Sequence, residues 1–247
     1  FLRKSIEAKL GLGLYYYQNV DYQTAMQHFE SAYEQAKELN EPYYLGECLF
    51  NFGEVFLEQS KYSLAMTRYF EALQQYQKSG SDDGAYWSYL GMGIIQKQCG
   101  NFSDAVTCYE KARAIAEKTG KKLEAAYCFN NEGNVYRKQG NLPKAMETYE
   151  KALSCFIEMK DELSASDCLN NIGNLYLEKG DPFRALDYYN RAIHSEKVKA
   201  DNYRMISRYK NLADAYSALK DYQNASLYLE KAIYLAEKSD DKMQLAC

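Results

Sequence analysis

The sequence predicts an all-α solenoid of six antiparallel helix pairs, and three series of small residues carry that prediction. Ala25, Ala65, Ala105, Ala145, Ala185 and Ala225 stand forty residues apart, and Ala32, Ala72, Ala112, Ala152, Ala192 and Ala232 repeat the step seven residues later. Gly13, Gly53, Gly93, Gly133 and Gly173, closed by Ala213, form the third series. Glycine inside a helix costs about 1 kcal/mol relative to alanine, so its recurrence within an apolar helical pattern calls for close helix approach. A lone hairpin cannot bury both its apolar faces, so neighbouring copies must stack.

First helices are expected near residues 3–18, 43–59, 83–99, 123–139, 163–179 and 203–219. Second helices are expected near 22–38, 62–78, 102–118, 142–158, 182–198 and 222–238, with no strand. The fifth copy illustrates the reason: Leu169, Ile172, Gly173 and Tyr176, then Ala185, Tyr188, Tyr189 and Ala192, follow the spacing of one helix face. Between the two helices, Gly180-Asp181-Pro182 and Gly140-Asn141-Leu142-Pro143 combine a glycine stop, an N-capping side chain and an early-turn proline. Asp21, Asn101 and Asp221 repeat the cap, while Lys61 departs from it. The chain is expected to form a single repeat domain over 1–247, with units near 3–40, 41–80, 81–120, 121–160, 161–200 and 201–240 and a tail at 241–247.

Composition narrows the function. With 34 acidic against 30 basic residues the net charge is -4, which leaves no basic excess to hold a polyanion, so nucleic acid is not an expected partner. No apolar run reaches the roughly 18 residues that a bilayer requires. Seven cysteines without a C-x-x-C pair exclude a complete disulfide framework, and a reducing, cytoplasmic setting is expected. Cys48, Cys128 and Cys168 share one first-helix position, and Tyr69, Tyr109, Tyr149 and Tyr189 one second-helix position; both sets read as packing. His28 and His194 lie far apart, so no metal site or catalytic triad can be assembled around them. Gly11-Leu12-Gly13 and Gly91-Met92-Gly93 follow no strand and are not phosphate loops. Neither catalysis nor a cofactor is expected. The start at Phe1 without methionine reads as a processed form or an excerpt of a longer polypeptide, in which effector domains would lie outside these residues.

The run Gly133, Tyr136, Gly140, Ala145, Tyr149, Ala152 resembles the tetratricopeptide repeat, and Gly173, Tyr176, Gly180, Ala185, Tyr189, Ala192 match it again. Six extra residues follow the second alanine. This forty-residue form, with Asn-Asn before the glycine, is similar to the repeats of kinesin light chain, of Pins-type scaffolds and of bacterial peptide-sensing regulators. The resemblance implies a right-handed superhelix whose first helices line a concave wall that receives a protein or peptide partner. Departures are Gln96 in place of an aromatic, Glu132 at an apolar position and Ala213 in place of glycine.

If the first helices line that wall, the positions two and three residues before the repeat glycine and one after it face inward. They hold Asn51, Asn131, Asn171 and Asn211, then Asn130 and Asn170, then Asn134 and Asn174 with Glu54 and Asp214. Asparagine is a poor helix-interior residue, so a specific role must favour it. A ladder of amides can grip the N–H and C=O groups of an extended peptide; alternatively, the amides bond across to the adjacent repeat. Trp87 and Tyr127 occupy equivalent positions one turn earlier and serve either as apolar anchors for a partner or as lateral packing. Lys97, Arg137 and Lys210 offer positive charge to a partner's carboxylates. Apolar ends, Phe1-Leu2 and Met243 to Leu245, leave the terminal repeats open to self-association. The function expected is a scaffold or recruitment module; the alternative is the ligand-sensing part of a peptide-responsive regulator.

Overall fold

The computed structural model describes residues 1–194 and 201–245, with side chains described through residue 238. The helices are α1 (Leu2–Gln18), α2 (Tyr22–Leu39), α3 (Pro42–Glu58), α4 (Tyr62–Ser79), α5 (Asp82–Gln98) and α6 (Phe102–Lys118). They continue with α7 (Lys122–Lys138), α8 (Leu142–Glu158), α9 (Glu162–Glu178), α10 (Pro182–Ala192), α11 (Asn202–Ala218) and α12 (Tyr222–Leu245). No strand occurs among the described residues. The second helix of the fifth repeat, expected over 182–198, is described as helix to Ala192, and positions 195–200 lie outside the described residues. The last helix runs past its expected end to Leu245.

The chain divides into two compact units, Phe1–Cys128 and Phe129–Cys247. In the first unit, α1 packs on α2, α3 on α4 and α5 on α6; in the second, α9 packs on α10 and α11 on α12. One turn design recurs every twenty residues. At the ends of α1 to α9 and of α11 a residue enters the left-handed region, and in all of these but α2 the next N–H reaches back to a carbonyl in the last turn, as Asn141 does to Tyr136 and Asp181 to Tyr176, both at 2.9 Å. Gly140 and Gly180 adopt φ of 73° and 77° there, which glycine accepts without a Cβ penalty. Val20, at φ 63°, takes the same turn as a β-branched residue and is strained.

Side-chain caps then start the helices, and here one expectation needs correction. Asp21 accepts from the Thr24 N–H at 3.1 Å and Asp221 from the Asn224 N–H at 3.2 Å. Asn101 makes no such bond; its amide donates instead to Gln96 Oε1 at 2.8 Å, so the residue that breaks the aromatic pattern at position 96 draws away the cap. Lys61, as expected from its side chain, has none.

The glycine series has a steric cause within each hairpin. A Cβ added at Gly13 would sit 2.3 Å from the Phe29 ring, and one at Gly53, Gly93, Gly133 or Gly173 would sit 2.4–2.7 Å from the ring of Tyr69, Tyr109, Tyr149 or Tyr189. Each glycine therefore seats the aromatic ring sixteen residues later. In the sixth repeat the ring is replaced by Leu229, and there the glycine is replaced by Ala213. All four tyrosines are fully buried, so their hydroxyls need partners. Tyr69 donates to Glu54 Oε1 at 2.5 Å, Tyr149 to Asn134 Oδ1 at 2.7 Å and Tyr189 to Asn174 Oδ1 at 2.7 Å. The equivalent of these acceptors beside Tyr109 is Ile94, and the Tyr109 hydroxyl is buried without a partner. Tyr76 is a second oversized ring, accommodated between Gly46 and Gly84, and its hydroxyl donates to Glu47 Oε1 at 2.8 Å.

Candidate functional site

The first unit carries an open groove of about 1060 Å³ on the side of its first helices. Leu14 of α1, Phe50 and Leu57 of α3, and Trp87, Leu90 and Ile94 of α5 supply its apolar surface. Trp87 is 47% exposed and stands edge-on to Tyr86 at 5.0 Å between ring centroids. A smaller recess of about 320 Å³ shares Leu14, Phe50 and Trp87 and adds Glu47, Asn51 and Asp83. The charged residues lining the larger groove are Glu54 and Glu58, one turn apart on α3; neither cavity is lined by Lys or Arg.

The four carboxylates are not equivalent. Asp83 pairs with Lys121 at 2.5 Å, and Glu47 receives the Tyr76 hydroxyl. Glu54 receives the Tyr69 hydroxyl, and burial, opposed in part by that bond, raises its pKa above the ordinary value. Glu58 is exposed and adds repulsion to Glu54 at the i,i+4 spacing. Neither Glu54 nor Glu58 has an ion-pair partner among the described residues.

In the second unit the same helix positions are filled by amides that bond to protein. Asn171 Nδ2 donates to Asn130 Oδ1 at 3.1 Å, and Asn211 Nδ2 to Asn170 Oδ1 at 2.7 Å, both across adjacent repeats. The Cys168 thiol also reaches Asn130 Oδ1, at 3.3 Å. Asn134 and Asn174 accept the buried tyrosine hydroxyls described above. Asn170 is only 7% exposed, while Asn131 is half-buried. In the first unit, Asn51 is also 7% exposed and turns back on its own helix, donating to the Glu47 carbonyl at 2.7 Å.

Of the remaining candidates, Arg137 pairs with Glu178 of the following repeat at 2.6 Å. Tyr127 and Lys97 are half-buried on α7 and α5, Lys97 one residue from Gln98 at the groove margin, and Lys210 is exposed on α11. Glu132 is 3% exposed, so the charged intruder lies inside the packed layer. Cys48, Cys128 and Cys168 are fully buried, and burial pushes the Cys48 thiol up to about 12.

Sequence reasoning concentrated on the amides and passed over Phe50, Leu90 and Leu14. The signal was present: the position three before the repeat glycine reads Leu10, Phe50, Leu90 and then Asn130, Asn170, an apolar-to-amide change along one column. Among the described residues, no cluster of His, Cys, Asp and Glu could hold a metal ion, and no helix is long and apolar enough to cross a membrane.

A tetratricopeptide repeat model matches residues 5–78, 84–158 and 167–238. No curated protein sequence matches this chain significantly. Among solved structures, BtubC (BKLC) from P. vanneervenii is 21% identical, with a TM-score of 0.74 over 87% of this chain and 91% of that one. A signal-transduction ATPase with numerous domains and a tetratricopeptide repeat sensor, from Pyrococcus horikoshii, is 17% identical, with a TM-score of 0.80 over 98% of this chain and 38% of that one. The Rap conjugation gene regulator of the plasmid pLS20, in complex with the Phr* peptide, is 17% identical, with a TM-score of 0.68 over 96% of this chain and 75% of that one. These likenesses establish an all-α repeat solenoid, and the family model that matches is a repeat model.

Proposed function

The chain belongs to the tetratricopeptide repeat family, and on that premise we propose that it is a non-catalytic interaction module that takes a peptide or helix of a partner protein against its first helices, in a scaffold or recruitment role. The observation that carries this reading is the groove of the first unit, where a half-exposed tryptophan and five further apolar residues line an open volume of about 1060 Å³. Apolar surface gathered in one concavity costs free energy in water and is relieved by a partner, and aromatic anchors contribute disproportionately to such binding. The amides of the second unit form a secondary contact strip in this reading. Each bonded pair keeps donors beyond the one it uses, and Asn131 belongs to the same strip, while Tyr127 is a further contact proposed in the first unit. Lys97 in the first unit and Arg137 in the second are proposed as positive charge for a partner's carboxylates. A cytoplasmic setting belongs to the same reading, supported by Cys48 and Cys168 standing as fully buried thiols.

Trp87 is the only tryptophan and therefore reports on the groove directly. Peptides selected from an unbiased displayed library should shift its emission. In calorimetry, Trp87→Ala and Phe50→Ala should each weaken them by about tenfold or more, corresponding to ~1.4 kcal/mol. Undiminished affinity in both variants would overturn the assignment of the groove. A second reading, the sensing part of a peptide-responsive regulator, is favoured by the likeness to the Rap regulator in its peptide complex. It requires that the same peptides compact the chain, which small-angle scattering measures.

A further inference from the structure

We infer that the groove of the first unit selects a cationic amphipathic segment, with an apolar side chain seated against Trp87 and Phe50 and a lysine or arginine meeting Glu54 and Glu58. This rests on the reading that the groove is a peptide site and adds the chemistry of its occupant. The argument is charge complementarity. Two carboxylates one helical turn apart line an apolar groove to which no Lys or Arg contributes, and neither has an ion-pair partner among the described residues.

Two like charges at i,i+4 repel, and Glu54 is in addition partly desolvated, so the pair is costly while the groove is empty. A packing role for Glu54 explains an acceptor for the Tyr69 hydroxyl and for that of Tyr17 beside it, and the fourth and fifth repeats provide the acceptor for the buried tyrosine with a neutral amide, Asn134 or Asn174. The negative charge is thus surplus to the hydroxyl bond. A cation on a flexible aliphatic stem satisfies both features at once, because its methylenes lie along Leu57 while its head reaches the carboxylates. An acidic peptide would place like charge in a low-dielectric groove and is rejected.

The test uses two short amidated peptides of equal length, one of leucine and lysine, the other of leucine and glutamate, titrated against the whole chain with Trp87 emission as the signal. The lysine peptide should bind, more weakly as salt is raised, and the glutamate peptide should not. Glu54→Gln combined with Glu58→Gln should weaken the lysine peptide by about tenfold. Gln keeps an acceptor for Tyr69, so the variant is expected to fold, and an unchanged melting curve checks this. Glu110→Gln with Glu150→Gln removes the same charge from exposed helix positions and should leave binding unchanged. Equal binding of both peptides, or indifference to the Glu54 and Glu58 changes, would overturn the charge selection while leaving a peptide groove in place. If neither these peptides nor library-selected ones move Trp87, both readings fall.

Discussion

The two units are built on one forty-residue period, yet they fill the same helix positions in opposite ways. In the first, the column three residues before the repeat glycine is Leu10, Phe50 and Leu90; Leu10 is buried in the core, while Phe50 and Leu90 line an open apolar groove. In the second, the column continues as Asn130 and Asn170, whose amides are bonded to the next repeat. Helix starts differ in parallel. Every helix from α8 to α12 has a side chain accepting from its first turn, whereas in the first unit only α2 and α5 do. The small-residue series fixes the scaffold, and the positions beside it decide whether an apolar groove is left open or amides bond across adjacent repeats.

The largest effect expected tests what the units share. Gly53→Ala and Gly173→Ala drive a Cβ into a buried tyrosine ring and should each cost about 2–3 kcal/mol in urea unfolding. Tyr189→Leu should rescue Gly173→Ala in part, since in the sixth repeat Ala213 is followed by leucine at the position sixteen residues later. The next effect separates the units. Tyr189→Phe removes a satisfied hydroxyl and should cost about 1 kcal/mol, whereas Tyr109→Phe removes an orphaned one and should be neutral or stabilising by up to about 1 kcal/mol. Equal losses at both positions would break the contrast.

A double-mutant cycle on Asn170 and Asn211 should return a coupling of about 0.5–1.5 kcal/mol. The smallest effect is acid sensitivity. Backbone and side-chain bonds to Arg204 hold the Asp201 carboxyl below its ordinary value, and bonds to Asn224 do so for Asp221; Asp21 is the first unit's counterpart through Thr24. A depressed folded-state pKa gives stability that is present above the unfolded value and lost as pH falls through the folded one. Glu54 is raised by burial, so its contribution has the opposite sign and improves on protonation. Hydrogen exchange between pH 7 and 3 should therefore show protection falling further in the second unit than in the first.

Most of the scaffold was legible from residue spacing alone, because a helix hairpin is a local object. The alanine and glycine series placed ten of the twelve described helices closely at both ends, and the ends that differ are those of α10 and α12. The site was less legible. An asparagine at a wall position reads equally as a peptide grip or as an inter-repeat tie, and the difference lies in what stands forty-one residues away in space. Asn130 with Asn171 shows this: the bond joins positions that are offset by one between copies, so no single repeat contains both. Phe50 and Leu90 were hidden for the opposite reason, since an apolar residue on an apolar face gives no sign of whether anything covers it.

The sixteen-residue link between glycine and ring has a consequence for how such a chain changes over time. Because each hairpin carries its own alignment key, a whole copy can be duplicated or lost without retuning its neighbours. The length of the surface presented to other proteins would then grow or shrink in discrete steps, while single-residue drift at the unkeyed columns rewrites its chemistry.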